Sequence, residues 1–167
     1  MQPSFPKRSQ PLGEAERYAP RVTVATLVER DGRFLFVEER ISGQLVINQP
    51  AGHLDPDESI VQAAVRETLE ETGWTVQIDA LVAIDLYEAL DRAFLRFAFA
   101  ATALQHDASR VLDAGIERAV WLSRAELIAR TSEHRSSLVL AGVDAYLAGV
   151  RVATSLLRTV TAQGVQT

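Results

Sequence analysis

The chain has 167 residues, 47% of them hydrophobic and 23% charged, with a formal net charge of −5 and no cysteine. That is the length of one domain able to bury a substantial core. Its acidity argues against a surface for a nucleic acid polymer; the missing cysteines exclude disulfides, thiolate zinc sites and thiol nucleophiles; and no stretch approaches the ~20 apolar residues of a membrane span.

Residues 1–20 set Pro3, Pro6, Pro11 and Pro20 among polar residues, which predicts a flexible arm. Lys7 and Arg8 are not followed by an apolar run, so no signal peptide is expected and the cytoplasm is the default. The domain is expected over 21–154. Residues 21–29 are rich in β-branched side chains and predict a strand, returned across the Asp31-Gly32 turn by a second over 33–39. Ser42-Gly43 turns the chain into a short third strand, 45–49, that stops at Pro50. A helix follows from about Ser59 to Thr72. Residues 75–89 and 93–104 read as a second hairpin turned near Leu90-Asp91-Arg92, 105–116 as a loop and 116–123 as a strand. Ser123 and Glu126 have capping-box spacing for a short helix, and 136–150 repeat apolar residues at helical spacing through Leu138, Ala141 and Ala145. A loose tail is expected over 155–167. With no internal repeat and no second domain, this order predicts an α+β fold, a mixed β-sheet between helices in an α/β/α sandwich.

The helix after Pro50 carries the chemistry. Glu67, Glu70 and Glu71 stand at i, i+3 and i+4 on one face, while Ile60, Val61, Ala64, Thr68 and Leu69 form a stripe for the core. With Glu58 they make four like charges on a short stretch, which costs helix stability unless a hard cation sits on them. Magnesium takes oxygen ligands of this kind, usually one or two carboxylates with substrate phosphates. A solvated acidic face is the bland alternative, and it accounts for neither Gly52, nor Arg66, nor the distance to Glu58. Ser59 and Gln62 have capping-box spacing, and Gly73 is placed to end the helix in a left-handed conformation. Gly52 precedes the helix, where backbone must approach metal or phosphate closely. The fork of Arg66 suits Glu58 or Glu70, as a clamp on the helix or as a simple surface pair with Glu70.

From Gly52 to Trp74 the spacing is G-x5-E-x7-R-E-T-x-E-E-x-G-W. This resembles the Nudix box, with Thr68 in place of a bulky apolar residue and Trp74 keeping the second apolar site. The stretches Val22-Thr23-Val24-Ala25, Val37-Glu38-Glu39, Asn48-Gln49-Pro50-Ala51-Gly52-His53-Leu54, Phe94-Leu95-Arg96-Phe97 and Arg135-Ser136 resemble the NudJ-type phosphatase subgroup of Nudix hydrolases, with Ile47 where that subgroup tends to be aromatic. The resemblance implies the Nudix fold from about residue 21. It implies magnesium, or manganese in its place, on Glu67, Glu70 and Glu71, with the carbonyl of Gly52 or Ala51 completing the sphere. Glu70 or Glu71 would take a proton from water. Glu117, four residues before Trp121, would reach the metals from the opposite side or act as base; a solvated loop-edge carboxylate is the alternative.

Arg96 alternates with Leu95 and Phe97 and points to the opposite face, to bind phosphate or to make a structural ion pair. Arg135 is a second phosphate candidate and His53 a cleft residue. Glu38 and Glu39 read as a solvated strand end or a substrate contact, and Tyr87 and Trp121 as core or cleft wall. The expected substrate is a small phosphorylated metabolite, with neither nucleic acid polymer nor membrane as partner; Nudix relatives are often homodimers. The subgroup resemblance implies orthophosphate release from nucleoside di- and triphosphates, thiamine diphosphate and its hydroxymethylpyrimidine diphosphate precursor. A MutT-like nucleoside triphosphate pyrophosphatase, a nucleotide-sugar, dinucleotide or ADP-ribose hydrolase, and a non-catalytic Nudix-fold ligand sensor are the alternatives.

Overall fold

The computed structural model describes residues 18–161 and 164–166. The arm expected over residues 1–20 therefore lies outside them except for its last residues, where the Tyr18 hydroxyl donates to Glu88.

The first two strands, β1 (Arg21–Arg30) and β2 (Arg33–Ile41), meet at Asp31-Gly32, and β2 turns at Ser42-Gly43 into β3 (Gln44–Asn48). Both turns hold two successive residues at positive φ (51° and 75°, then 50° and 84°), which matches the twist of the flanking strands. A short β4 (Ala51–His53) leads to helix α1 (Ile60–Thr72). The long hairpin β5 (Trp74–Glu88) and β6 (Ala93–His106) follows, then β7 (Ile116–Ser123), α2 (Arg124–Ala129) and α3 (Leu138–Leu147). The sheet runs β3-β2-β1-β6-β5, with β4 added to β1 and β7 to β2. Strand β1 is parallel to β6, and the other paired strands are antiparallel.

Helices cover both faces, as the element order predicts. Ala63 and Ala64 of α1 pack on Val24, Leu81 and Phe99. On the other face Leu127 of α2 and Val139 and Val143 of α3 pack on Leu27, Phe34, Phe36, Val82, Ala98 and Ala100. Strands β1 and β2 stay paired only beside their turn, at Glu29–Phe34 and Arg30–Arg33. Beyond it β1 joins β4 and β6 while β2 joins β3 and β7, so the sheet splays open at the far end. The tail expected to be loose carries a 3-10 turn (Thr154–Leu156) and a small hairpin of β8 (Thr159–Thr161) with β9 (Gly164–Gln166). Val152 also bridges to Leu81.

Two polar features of the interior depart from expectation. The buried stripe of α1 includes Glu67 and Thr72 as well as Thr68, while Ile60 and Val61 are only partly buried. Thr68 is fully buried, its hydroxyl 2.8 Å from that of Thr26 on β1 and also donating to the Ala64 carbonyl. The residue that breaks the apolar pattern thus has a partner on the facing strand.

Glu38 and Glu39 are not a solvated strand end. Glu38 is 1% exposed and receives Arg118 and Arg130, each at 2.7 Å. Glu39 is held by Arg135 at 2.7 Å. These pairs tie β2 to β7 and to the segment before α3. Burial pushes the Glu38 carboxyl up, and the Arg118 and Arg130 guanidiniums outweigh it and hold it below the ordinary carboxylate range.

Thr68→Val alone strands the Thr26 hydroxyl in the core and should cost about 2 kcal/mol in urea unfolding, whereas Thr26→Val with Thr68→Val should return to within about 1 kcal/mol of wild type. Glu38→Gln should cost about 3 kcal/mol at pH 7, the lower end for breaking a buried pair, because Arg118 is 67% exposed. The folded pKa of Glu38 is depressed, so its stabilisation is whole above the unfolded value of about 4.3 and is lost as pH falls through the folded value. The penalty of Glu38→Gln should therefore shrink as pH falls through that window, in unfolding curves measured at successive pH values.

Candidate active site

Helix α1 is fixed at both ends. Ser59 accepts from the Gln62 backbone at 3.2 Å and donates its own backbone N–H to the Gln62 side chain at 2.7 Å. Gly73, at φ 71°, donates to the Leu69 carbonyl. Between these caps Arg66 gathers the acidic residues. Its Nε and Nη2 donate to the two carboxylate oxygens of Glu58, at 3.0 and 2.7 Å. Its Nη1 reaches both Glu67 (2.8 Å) and Glu70 (2.9 Å), and Nη2 also donates to the His53 carbonyl at 3.0 Å. Both expected partners, Glu58 and Glu70, are engaged at once. Hydrogen bonds from Arg66 hold the Glu58 carboxyl below its ordinary range, helped by the Asp55 N–H.

Gly52 lies in strand β4, paired with Val24, and not in a free loop. A Cβ on it would sit 2.1 Å from the Glu67 carboxyl carbon. The Glu67 carboxylate therefore occupies the space over the glycine, and burial pushes its pKa up. One oxygen each of Glu67, Glu70 and Asp113 lie within 4.8 Å of one another. Asp113 comes from the loop before β7, where its N–H donates to the Glu70 carbonyl at 3.1 Å. Sequence reading missed it, since a lone Asp beside Ala114 and Gly115 signals only a turn. Glu71 stands apart from that trio. It accepts the Ala51 N–H at 2.9 Å, and burial pushes its carboxyl up to about 8, with the charges of Glu67, Glu39 and Asp113 adding to the rise.

A cleft of about 730 Å³ opens at the splayed end of the sheet. Gly52, Glu67 and Glu71 line it on the α1 side, and Arg96, Arg135 and Arg92 line it too, with His53, Tyr87, Phe94, Thr23 and Ile41. Arg96 is 6% exposed and donates to the Gln49 side-chain oxygen at 2.8 Å, while its Nε has no partner. Burial pushes its pKa down to about 10. The structural ion pair offered as an alternative for Arg96 does not form; a neutral amide takes its place. Tyr87 and Phe94 stack at 6.4 Å, and the His53 ring lies 6.3 Å from Phe94.

One expectation is corrected. Glu117 is paired with Arg40 at 2.8 Å, both side chains about half exposed, and does not line the cleft. The β2–β7 register shifts between Glu38 and Glu39, so that Glu117 has no partner opposite it and turns outward. Ile47, aliphatic where the subgroup tends to be aromatic, is fully buried in the α3-side core and offers no surface for stacking. Trp121, read as core or cleft wall, is core: it packs edge-on against Trp74 beside Val28 and Leu35.

Residues 17–141 match the NUDIX domain family. The chain is 42% identical over 135 residues to "Phosphatase NudJ" of Escherichia coli (strain K12), an alignment spanning 80% of this chain and 88% of that protein. "Phosphatase NudJ" of Shigella boydii serotype 4 (strain Sb227) matches to the same extent, 42% over 135 residues. A solved structure described as "NUDIX hydrolase from Nitrosomonas europaea" superposes with a TM-score of 0.83 at 41% identity, covering 84% of this chain and 97% of that one. With the acidic helix, its arginine clamp and the matching relatives all in register, the chain belongs to the Nudix hydrolases, enzymes that act on phosphorus-containing anhydrides.

Proposed function

We propose that this hydrolase is magnesium-dependent and releases orthophosphate from nucleoside di- and triphosphates or from the diphosphates of thiamine and its hydroxymethylpyrimidine precursor. The observation that carries the reading is one cleft lined both by carboxylates of α1 and by a buried arginine whose hydrogen bond goes to a neutral amide. A phosphate chain in that cleft would meet positive charge from Arg96 and from a cation held at Glu67. The phosphatase name of the relatives supports orthophosphate as the product. The Tyr87–Phe94 pair, with His53 beside it, supports a substrate bearing a flat heteroaromatic ring.

The donor set fits a hard divalent ion: three carboxylate oxygens from Glu67, Glu70 and Asp113 within 4.8 Å of one another. Magnesium there, or manganese in its place, supplies Lewis-acid neutralisation of phosphate oxygens and acidifies water. Gly52 leaves the space that lets Glu67 reach the cleft, and Arg66, braced by Glu58, sets the directions of Glu67 and Glu70. Glu71 is the proton acceptor: its Oε2 is occupied by the Ala51 N–H, and the other oxygen is left for the attacking water. Arg96 grips a phosphate oxygen with the hydrogen-bonding capacity that Gln49 leaves unused, and Arg135 adds charge beside it. His53 borders the ring site. The same reading places the enzyme in the cytoplasm, where such metabolites turn over. It also allows a homodimer, for which the exposed Ile84 and Leu86 of terminal strand β5 offer apolar contact.

Glu71→Gln keeps an acceptor for Ala51 and removes a carboxyl whose burial opposes its ionisation, so it should fold at least as stably as wild type without magnesium. It should lose about 100-fold or more in kcat while magnesium still raises the melting temperature. Glu70→Gln should lose activity and also shrink that magnesium-dependent rise. Near-normal rates in both variants would overturn the assignment. A panel of di- and triphosphorylated metabolites, with phosphate and pyrophosphate assayed separately, tests the substrate and the leaving group. Pyrophosphate as the sole product from triphosphates would replace the phosphatase reading with a MutT-like one, and preference for a nucleotide sugar or ADP-ribose would replace both.

A further inference from the structure

We propose that Gln49 is a positioning residue, holding Arg96 in place while leaving its charge unneutralised for the phosphate chain. The inference rests on the reading of Arg96 as a phosphate contact. Three arginines line the cleft, and two are already paired: Arg135 with Glu39 and Arg92 with Asp91. Among the described residues Arg96 has no carboxylate within ion-pair distance: Asp85, across the β5–β6 pair, attracts it without contact, and its buried Nε has no hydrogen-bond partner. A desolvated guanidinium whose hydrogen bond goes to a neutral amide keeps its affinity for an anion.

Gln49 is suited to this task in a way no other side chain is. It is completely buried and does not line the cleft, so it acts through Arg96 and not on the substrate. Its Nε2 donates to the Val139 carbonyl at 2.8 Å and lies 3.4 Å from that of Leu138, in the first turn of α3. Those two carbonyls fix which end of the amide faces them, and so turn Oε1 to Arg96, 2.8 Å away. Gly142 of α3 leaves room for this, since a Cβ there would come within 3.1 Å of Nε2. A glutamate at 49 would satisfy Arg96 as an ion pair and set an oxygen against two carbonyls. An apolar residue would leave Arg96 without an acceptor.

The test measures binding of methylenediphosphonate, which cannot be hydrolysed, in magnesium by titration calorimetry, with thermal unfolding recorded on each variant. Gln49→Glu should weaken binding by about tenfold or more, and Gln49→Met by about fivefold. For the substrate that the metabolite panel identifies, both should raise KM with kcat changed far less. In an Arg96→Met background, adding Gln49→Met should change affinity less than twofold, because the effect passes through the arginine. If Gln49→Glu does not unfold cooperatively, Gln49→Met alone decides. Affinity within twofold of wild type for Gln49→Met, whatever its melting temperature, would overturn the positioning role. If Arg96→Met itself binds as wild type does, the reading of Arg96 as a phosphate contact fails, and the role of Gln49 with it.

Discussion

One guanidinium makes the acidic helix possible. Carboxylates three and four residues apart repel, and α1 brings Glu67 and Glu70 together with Glu58 behind them. Arg66 answers all three at once, and a fourth contact to the His53 carbonyl ties the helix to strand β4. The arrangement has direction. Glu58 takes the bidentate face of the fork, so the remaining nitrogen is aimed at Glu67 and Glu70. The charge cluster is thereby half compensated from behind and left open in front. Such a cluster has a defined shape before any ligand arrives.

Much of this was legible because local rules and the global fold agree. The two turns with successive positive-φ residues, the capping box at Ser59 and the glycine at 73 mark their elements by residue type alone. Two of the three carboxylate partners of Arg66, Glu58 and Glu70, were readable as candidates from spacing. What the sequence did not reveal depends on long-range placement. Asp113 reaches Glu70 only because the loop before β7 folds over the end of α1. Glu38 and Glu39 look like exposed strand-end charges until arginines 80 to 96 positions away in the chain cover them. Glu117 fits a sequence pattern, yet a register shift turns it away. Thr68 looks like a weakened packing site until Thr26 is placed opposite it.

The cleft itself is a product of topology. Strands β1 and β2 part after two paired residues on each side, and each recruits its own neighbours. The gap between the two half-sheets is where strand ends, the loop to α1 and the segment before α3 converge. Catalytic candidates thus come from rigid elements on several sides, while the ion pairs of Glu38 and Glu39 with Arg130 and Arg135 anchor the segment that closes the cleft toward α3.

Gly52 shows how a constraint can hide in an ordinary backbone. It is not among the glycines at positive φ, so its torsion angles are open to other amino acids. What bars them is volume, because the space a methyl group would fill belongs to a neighbour's carboxylate. Selection at this position therefore reads occupancy and not conformation. Alanine, harmless by every local measure, would evict the side chain around which the acidic wall is built.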